Sequence, residues 1–361
     1  MKSKRAPTVL IAPQAFKGSL GPLVVAEAMK RGVRRAIPNA EVVLLPVADG
    51  GDGLIDVLRR ADSQCDSHEV RGPLGEPAVA TILWLDSRTA VIESAAACGL
   101  RLLDPSRLDP LRASTFGVGE LMNCALSEGA LTIIVGLGGS ATVDVGLGMA
   151  SALGWRFLDR AGEPVRLGGG HLGDVESVVP GTPFLPRVIA LADVNNPLTG
   201  PNGTVDMFAA QKGAGRKELS LLSGAVVHLA SLLRAEYPEF GNCAGAGAAG
   251  GLAAGLATFL SAEVEPGATW VMRRLGFEAR LREADLVLTG EGSFDETSLL
   301  GKGTGRVVEL ARARGVAVAV VAGRGTTQRG VRVYAGSGEP VREPDIVRLS
   351  ERAVMDAFPA R

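Results

Sequence analysis

TIIVGLGGSATVD, residues 132–144, runs from an apolar stretch straight into Gly, Ser, Thr and Asp. The same junction recurs at VLIAP (9–13) before QAFKGSL, VVLLPV (42–47) before ADGGDG, VIALA (188–192) before DVNNPLTGPNG, and LVLTG (286–290) before EGSFDETSLLGKG. Short apolar runs bounded by such loops read as buried parallel strands, and an open α/β sheet binds ligands outside the carboxyl ends of its strands. Glycine lets the backbone approach a ligand there, while acidic, amide and lysine groups supply chemistry. The pattern points to a site for phosphate.

Around these junctions the chain alternates. A strand at Thr8–Ala12, a helix at Pro22–Ala36, a strand at Glu41–Val47 and a helix at Gly53–Ala61 form a βαβ opening. From His68 the spacing tightens to EVRG, VATILWLD and TAVIESA, with turn residues in WLDSRTA, which predicts a partly antiparallel sheet. Alternation resumes with a helix at Phe116–Leu126, a strand at Thr132–Val135, a short helix to Leu153, a strand at Arg187–Ala192 and a helix at Lys217–Arg234. Leu167–Pro186 reads as irregular connection, and Gly245–Leu260 as a close-packed helix. From Asp285 strand, helix (Thr304–Arg314) and strand (Val316–Val321) follow as at the start. We therefore expect a discontinuous Rossmann- or flavodoxin-like domain from residues 1–70 and 282–361, with an inserted α/β domain of mixed sheet at 71–281. The tail from Arg324 reads as short and charged, without a terminal Ala-rich helix.

At 361 residues the chain can bury two cores. Lys plus Arg (38) balances Asp plus Glu (39), so no bulk field favours nucleic acid or an anionic membrane, and the expected partner is a small molecule. Cys65, Cys98, Cys124 and Cys243 form no Cys-x-x-Cys pair and the His residues lie far apart, which gives neither a disulfide framework nor a zinc signature. Reduced thiols in cytoplasm and no bound transition metal are expected. The apolar run after Arg5 is too short for a secretory signal, and Gly245–Leu260 falls short of the roughly 18–20 residues that a membrane span needs.

Gly136, Gly138 and Ala141 also fit the G-x-G-x-x-A dinucleotide fingerprint, with Asp159 at a suitable distance. A Rossmann helix should continue directly from that loop, whereas Thr142, Val143, Val145, Gly146 and Gly148 interrupt it. A cradle of backbone amides closed by Ser140 and Thr142 is the better reading, because successive amides with glycine freedom make an anion nest. There is no Walker A motif, since Gly303 stands where Ser or Thr should follow Gly301-Lys302. Lys17, Lys212 and Lys302 each sit beside glycine, where a cation and neighbouring amides can converge on one anion. Asp49, Asp52, Asp193, Glu291 and Asp295 follow strands, as carboxylates that hold Mg²⁺ or accept a hydroxyl proton would. Asp52, just before a helix, reads as a cap; Asp49 and Asp193 read as chemical groups.

Taken together, APQAFKGSL, PVADGGDG, GLGGSATVDVGLGMASALG, ADVNNPLTGPNG, QKGA, GAGAAGG and LTGEGSFDETSLLGKG resemble the type-1 glycerate kinase family, in the family's order. The resemblance implies two dissimilar α/β domains with the active site in the cleft between them, and phosphorylation of D-glycerate by ATP with Mg²⁺, 2-phosphoglycerate being the favoured product. It points to Lys17, Ser19, Asp49, Gly138, Gly139, Ser140, Thr142, Asp193, Asn196, Gln211, Lys212, Glu291 and Asp295 as site residues. Asp193 or Asp49 is the expected base, Lys17 neutralises phosphate or the substrate carboxylate, and GGSAT cradles phosphate. Gln14, Ala15 and Asn195 depart from the family pattern, each removing an acceptor or potential metal ligand. An NAD(P)-dependent oxidoreductase and a nucleotide-binding regulator without turnover are the alternative readings.

Overall fold

The computed structural model describes residues 5–16, 18–299, 303–328, 330–336 and 341–359, with the backbone alone at Thr297. The chain divides into two compact units: residues 1–58 with 267–361, and residues 59–266. The division falls earlier than the sequence suggests because the strand Gln64–Arg71 pairs along its whole length with the strand Pro77–Asp86 of the second unit, while the helices Gly267–Leu275 and Phe277–Glu283 pack on the first unit's sheet.

The first unit opens with β1 (Thr8–Ile11), α1 (Pro22–Ala36), β2 (Glu41–Leu44) and α2 (Leu54–Leu58). The second unit follows with β3 (Gln64–Arg71), β4 (Pro77–Asp86), β5 (Thr89–Glu93), α3 (Ala95–Cys98), α4 (Phe116–Ser127), β6 (Thr132–Gly136) and α5 (Leu147–Ala152). It continues through β7 (Arg156–Leu158), β8 (Ser177–Val179), β9 (Arg187–Leu191), α6 (Thr204–Phe208), α7 (Arg216–Glu236), α8 (Leu252–Phe259) and β10 (Glu263–Glu265). The chain then returns to the first unit with α9 (Gly267–Leu275), α10 (Phe277–Glu283), β11 (Leu286–Phe294), α11 (Gly303–Ala313), β12 (Ala317–Gly325), β13 (Arg332–Ala335) and α12 (Glu343–Ala357).

The first unit's sheet has the order β13-β12-β11-β1-β2 and is parallel throughout. Side chains alternate across it: Val9, Ile11, Leu286 and Leu288 pack against α1 and α12, whereas Leu10 and Val287 pack against α9, α10 and α11. The chain leaves β1 toward β2 on one side and leaves β11 toward β12 on the other, so the strand order reverses between β1 and β11. That is a topological switch point, where loops part and leave room for a ligand.

The second unit's sheet, β10-β9-β6-β5-β4-β3, is parallel from β10 to β5 and antiparallel from β5 to β3, as its tight turns predict. Ala80, Ile82, Ile92, Ile133, Val135, Val188 and Ala190 face a core completed by α4, α5, α7 and α8. By length and composition α7 could cross a membrane, and its Leu222, Ala225, Val226, Leu229, Ala230 and Leu233 are buried.

Three local expectations are corrected. The Gly245–Leu260 helix begins only at Leu252, because Ala249, Gly250 and Gly251 have φ of 53°, 73° and 87°, which no right-handed helix accommodates. Leu167–Pro186 carries a 3₁₀ turn at Gly169–Asp174 and the strand β8, which pairs with β7. The tail carries β13 and a full helix: α12 starts with Pro near its N-terminus and buries Ile346, Val347, Leu349, Ser350, Ala353 and Val354. A Cβ at Gly32 of α1 would lie 2.4 Å from the Val347 carbonyl oxygen, so α12 crosses α1 where only glycine fits.

Candidate active site

In the second unit the loop after β6 is built by the backbone. Leu137 N–H donates to Leu191 O at 2.9 Å, carrying the ladder one residue past the strand. Ala141 N–H then donates to Cys98 O at 2.7 Å, and Leu100 N–H to Gly139 O at 2.8 Å, which fastens the loop to the end of α3 and the turn that follows it. Gly139, at φ 69°, makes the turn. Among the described residues no acceptor receives the backbone N–H of Gly138, Gly139, Ser140 or Thr142. Consecutive unclaimed amides of this kind form an anion nest. The helix α5 starts three residues after Asp144, beyond left-handed Val145 (φ 55°) and Gly146 (φ 76°), so the loop does not feed a helix as a dinucleotide fingerprint does.

Two buried charges fix this loop. Lys212, 2% exposed, donates through Nζ to Ser140 Oγ at 2.9 Å and to Thr142 O at 2.7 Å. Burial pulls its pKa from 10.5 down to about 8, opposed by the field of Cys98 and Asp144. Asp144, fully buried, accepts from Thr115 N (2.7 Å), Thr115 Oγ1 (2.8 Å), Ser114 Oγ (3.4 Å), Gly146 N (3.3 Å) and Gly148 N (3.2 Å). Burial raises the pKa of Asp144 and those donors oppose the rise. Cys98 is buried as well, and burial with the Asp144 charge pushes its thiol up to about 12, leaving it neutral and unreactive. Sequence reasoning missed Asp144. Its signal is an acidic residue in the otherwise small and apolar run VDVGLGMA, a setting in which a carboxylate needs buried partners.

The glycine-rich stretch at 245–255 is the floor beneath two loops. A Cβ at Gly250 would stand 1.9 Å from Thr142 O, and one at Gly255 2.5 Å from Val145 O, both in the loop after β6. A Cβ at Gly245 would stand 2.5 Å from Val194 O, and one at Gly247 2.4 Å from Pro197 O, both in the loop after β9. The second loop holds Asp193, half-buried and separated from β9 by Ala192, and Asn196, whose Nδ2 donates to Asn202 O at 2.9 Å. Because β6 and β9 are parallel neighbours, both loops leave the same edge of the sheet. Gln211 is exposed beside Lys212, in a turn closed by left-handed Gly213 (φ 99°).

In the first unit the predicted residues lie at the carboxyl ends of β1, β2 and β11. Ser19 is exposed in a tight turn and its Oγ donates to Phe16 O at 3.0 Å. Asp49 is half-buried and accepts from Gly51 N at 3.1 Å. Glu291, expected in a loop, lies within β11, which pairs on through Phe294 with β12. Asp295 follows the strand, and its Oδ1 accepts from Ser298 N at 3.3 Å to cap the short turn Glu296–Leu299. Gln14, 8% exposed, sits at the switch point: its N–H donates to Gly290 O at 2.9 Å, and its Oε1 accepts from Thr304 N (3.0 Å) and Thr304 Oγ1 (3.2 Å), capping α11. Lys17 and Lys302 lie outside the described residues. No group of three or more His, Cys, Asp or Glu side chains among the described residues is arranged to hold a metal ion.

A parallel sheet with a switch point in one unit, and an amide nest backed by a buried cation in the other, define an α/β enzyme equipped for phosphate. The chain matches the glycerate kinase family over residues 9–338. It is 43% identical over 322 residues to a glycerate kinase of Bacillus subtilis (strain 168), covering 87% of this chain and 84% of that one. It is 40% identical over 334 residues to a glycerate 2-kinase of Escherichia coli (strain K12), covering 90% and 87%. A crystal structure of a provisional glycerate kinase 2 from Salmonella typhimurium LT2 superposes with a TM-score of 0.80 at 36% identity, over 98% of this chain and 96% of that one. The chain belongs to the glycerate kinase family and is an enzyme.

Proposed function

We propose that the enzyme transfers the γ-phosphoryl group of ATP to a hydroxyl of D-glycerate, giving phosphoglycerate and ADP. The observation that carries this reading is the Gly138–Thr142 loop, with its unclaimed amides and the Lys212 ammonium behind them. The similarity to a protein named glycerate 2-kinase favours the 2-hydroxyl as acceptor. The hydroxyl oxygen forms the new bond to phosphorus, the bond from phosphorus to the ADP oxygen breaks, and the hydroxyl proton passes to a carboxylate. We assign that proton to Asp193 or Asp49, phosphate to the amides and hydroxyls of residues 138–142, and neutralisation of phosphate or carboxylate to Lys17. Ser19, Asn196, Gln211, Glu291, Asp295 and Lys302 complete the proposed set. The donors available are carboxylate oxygens without a full cage, which fits Mg²⁺, an ion held by one or two carboxylates together with substrate phosphates. Asp193 or Asp49 would hold it, and it would neutralise charge on the transferring group. The free thiols Cys65, Cys98, Cys124 and Cys243 accord with a reducing compartment.

The test is ADP release with MgATP and a panel of small hydroxy acids, in the wild type and in Asp193→Asn. Glycerate should drive ADP release in the wild type. Loss of the proton acceptor costs roughly 10²–10⁴-fold in rate, with little change in melting temperature. Near wild-type turnover in Asp193→Asn would transfer the role to Asp49, and a wild type without glycerate-dependent ADP release would overturn the reading.

A further inference from the structure

We propose that Lys212 is a positioning residue: it holds the Gly138–Thr142 loop from the inner side and supplies the positive charge that an anionic oxygen on the loop's open side requires. The inference rests on the phosphate-binding reading of that loop. Lys212 is 2% exposed, and two of its three ammonium donors are taken by Ser140 Oγ and Thr142 O, one on each side of Ala141. A side chain so enclosed is braced against the loop's own atoms, so the loop amides, and not the lysine, are what a ligand meets. Gly250 closes the other approach to Thr142 O, which leaves the carbonyl no room to turn away from the ammonium. Thr142 Oγ1 is buried beside the Cys98 thiol and has no other hydrogen-bond partner among the described residues.

Among the described residues the charge has no ion-pair partner within salt-bridge distance; the ionisable groups that face it are Asp144 and Cys98. Cys98 stays neutral up to about pH 12. Asp144 is engaged by Thr115, Gly146 and Gly148. The ammonium field is therefore left for a ligand. A neutral amine still has two N–H donors, so raising the pH through about 8 removes the charge while both hydrogen bonds survive. Substitution by methionine removes charge and bonds together.

Two measurements on the intact protein test this. The first is amide hydrogen exchange of the unliganded protein at neutral pH: exchange over residues 138–143 should quicken at least about tenfold in Lys212→Met while β6 keeps its protection. The second is the pH profile of kcat/KM with MgATP and glycerate. The wild type should lose activity, mainly through KM, with a single inflection near pH 8, and Cys98→Ala should keep that inflection. Lys212→Met should be reduced about 10–10²-fold at pH 7, a range set by loss of charge-assisted hydrogen bonds, and should show no inflection. An unchanged exchange pattern, or an alkaline limb that persists in Lys212→Met, overturns the proposal. If Lys212→Met does not fold, the wild-type profile decides, and a flat KM between pH 7 and 9.5 overturns it. Exchange needs no turnover, so failure of the glycerate reading would appear separately, as a wild type without glycerate-dependent activity.

Discussion

Gly250→Ala puts one methyl group where the structure has no space for it. The ideal Cβ lies 1.9 Å from Thr142 O, 2.7 Å from Thr142 C and 3.0 Å from Val143 Cα, all backbone atoms, so no rotamer change can relieve the contact. At φ 73° the new side chain also takes on left-handed strain of about 1–2 kcal/mol. Forcing the two segments apart adds about 1–3 kcal/mol, as overpacking does elsewhere. The loss of unfolded-chain freedom returns only about 0.4–1 kcal/mol. The net expectation is a loss of about 1–5 kcal/mol, a large share of the roughly 5–15 kcal/mol that holds a domain together. Denaturation in urea, followed by circular dichroism, should show an earlier midpoint. Gly224→Ala is the control: Gly224 lies within α7 with no atom within 4 Å of its Cβ, so alanine there should stabilise by about 0.5–1 kcal/mol. If both variants unfold together, the floor does not bear on the loop and the reasoning fails.

Gln14→Ala should cost about 0.5–2 kcal/mol, the usual range for losing a helix cap, because Thr304 N–H loses its acceptor while Thr304 Oγ1 keeps only Gly290 O at 3.3 Å; urea midpoints measure it. Stability should also depend on pH through Lys212. Its folded pKa of about 8 lies below the ordinary 10.5, so between these values the unfolded chain holds a proton that the folded chain has released. The wild type should therefore gain up to about 3 kcal/mol over Lys212→Met as pH rises from 8 to 10.5, at 1.36 kcal/mol per unit. Below pH 8 the difference should be flat, and a flat difference throughout would disprove the assignment.

The strands after which the loops fall were legible because short apolar runs ending in Gly and Asp have few other solutions, and β1, β6 and β9 begin at the residues read from the sequence. The turn at 248–251 was not legible. Its left-handed run begins at Ala249, a residue whose composition favours helix, and the cause is the carbonyl of Thr142, more than a hundred positions away. The last helix was hidden by its charges, although Ile346, Val347, Ala353 and Val354 share a face, with Ser350 small enough for the crossing at Gly32. Lys212 stood out in the sequence only as a cation beside glycine, because its burial behind Ser140 and Thr142 depends on the folded loop. Asp144 was overlooked because its shortest hydrogen bonds come from Thr115, on a different segment, and add to those of nearby Gly146 and Gly148.

The crossing of α1 and α12 joins residues 22–36 to residues 343–357, two segments far apart in the sequence. The face of α1 that carries Val25, Met29 and Val33 can be covered by Ile346, Val347 and Val354 only after residues 343–357 have left the ribosome. Residues 59–266 can close on themselves well before that. Helix α1 thus waits with a greasy side showing while residues 37–342 are made. Such long-range pairing slows folding and leaves nascent surfaces open to aggregation. In this enzyme the burden of waiting falls on the unit that is assembled from two separated segments.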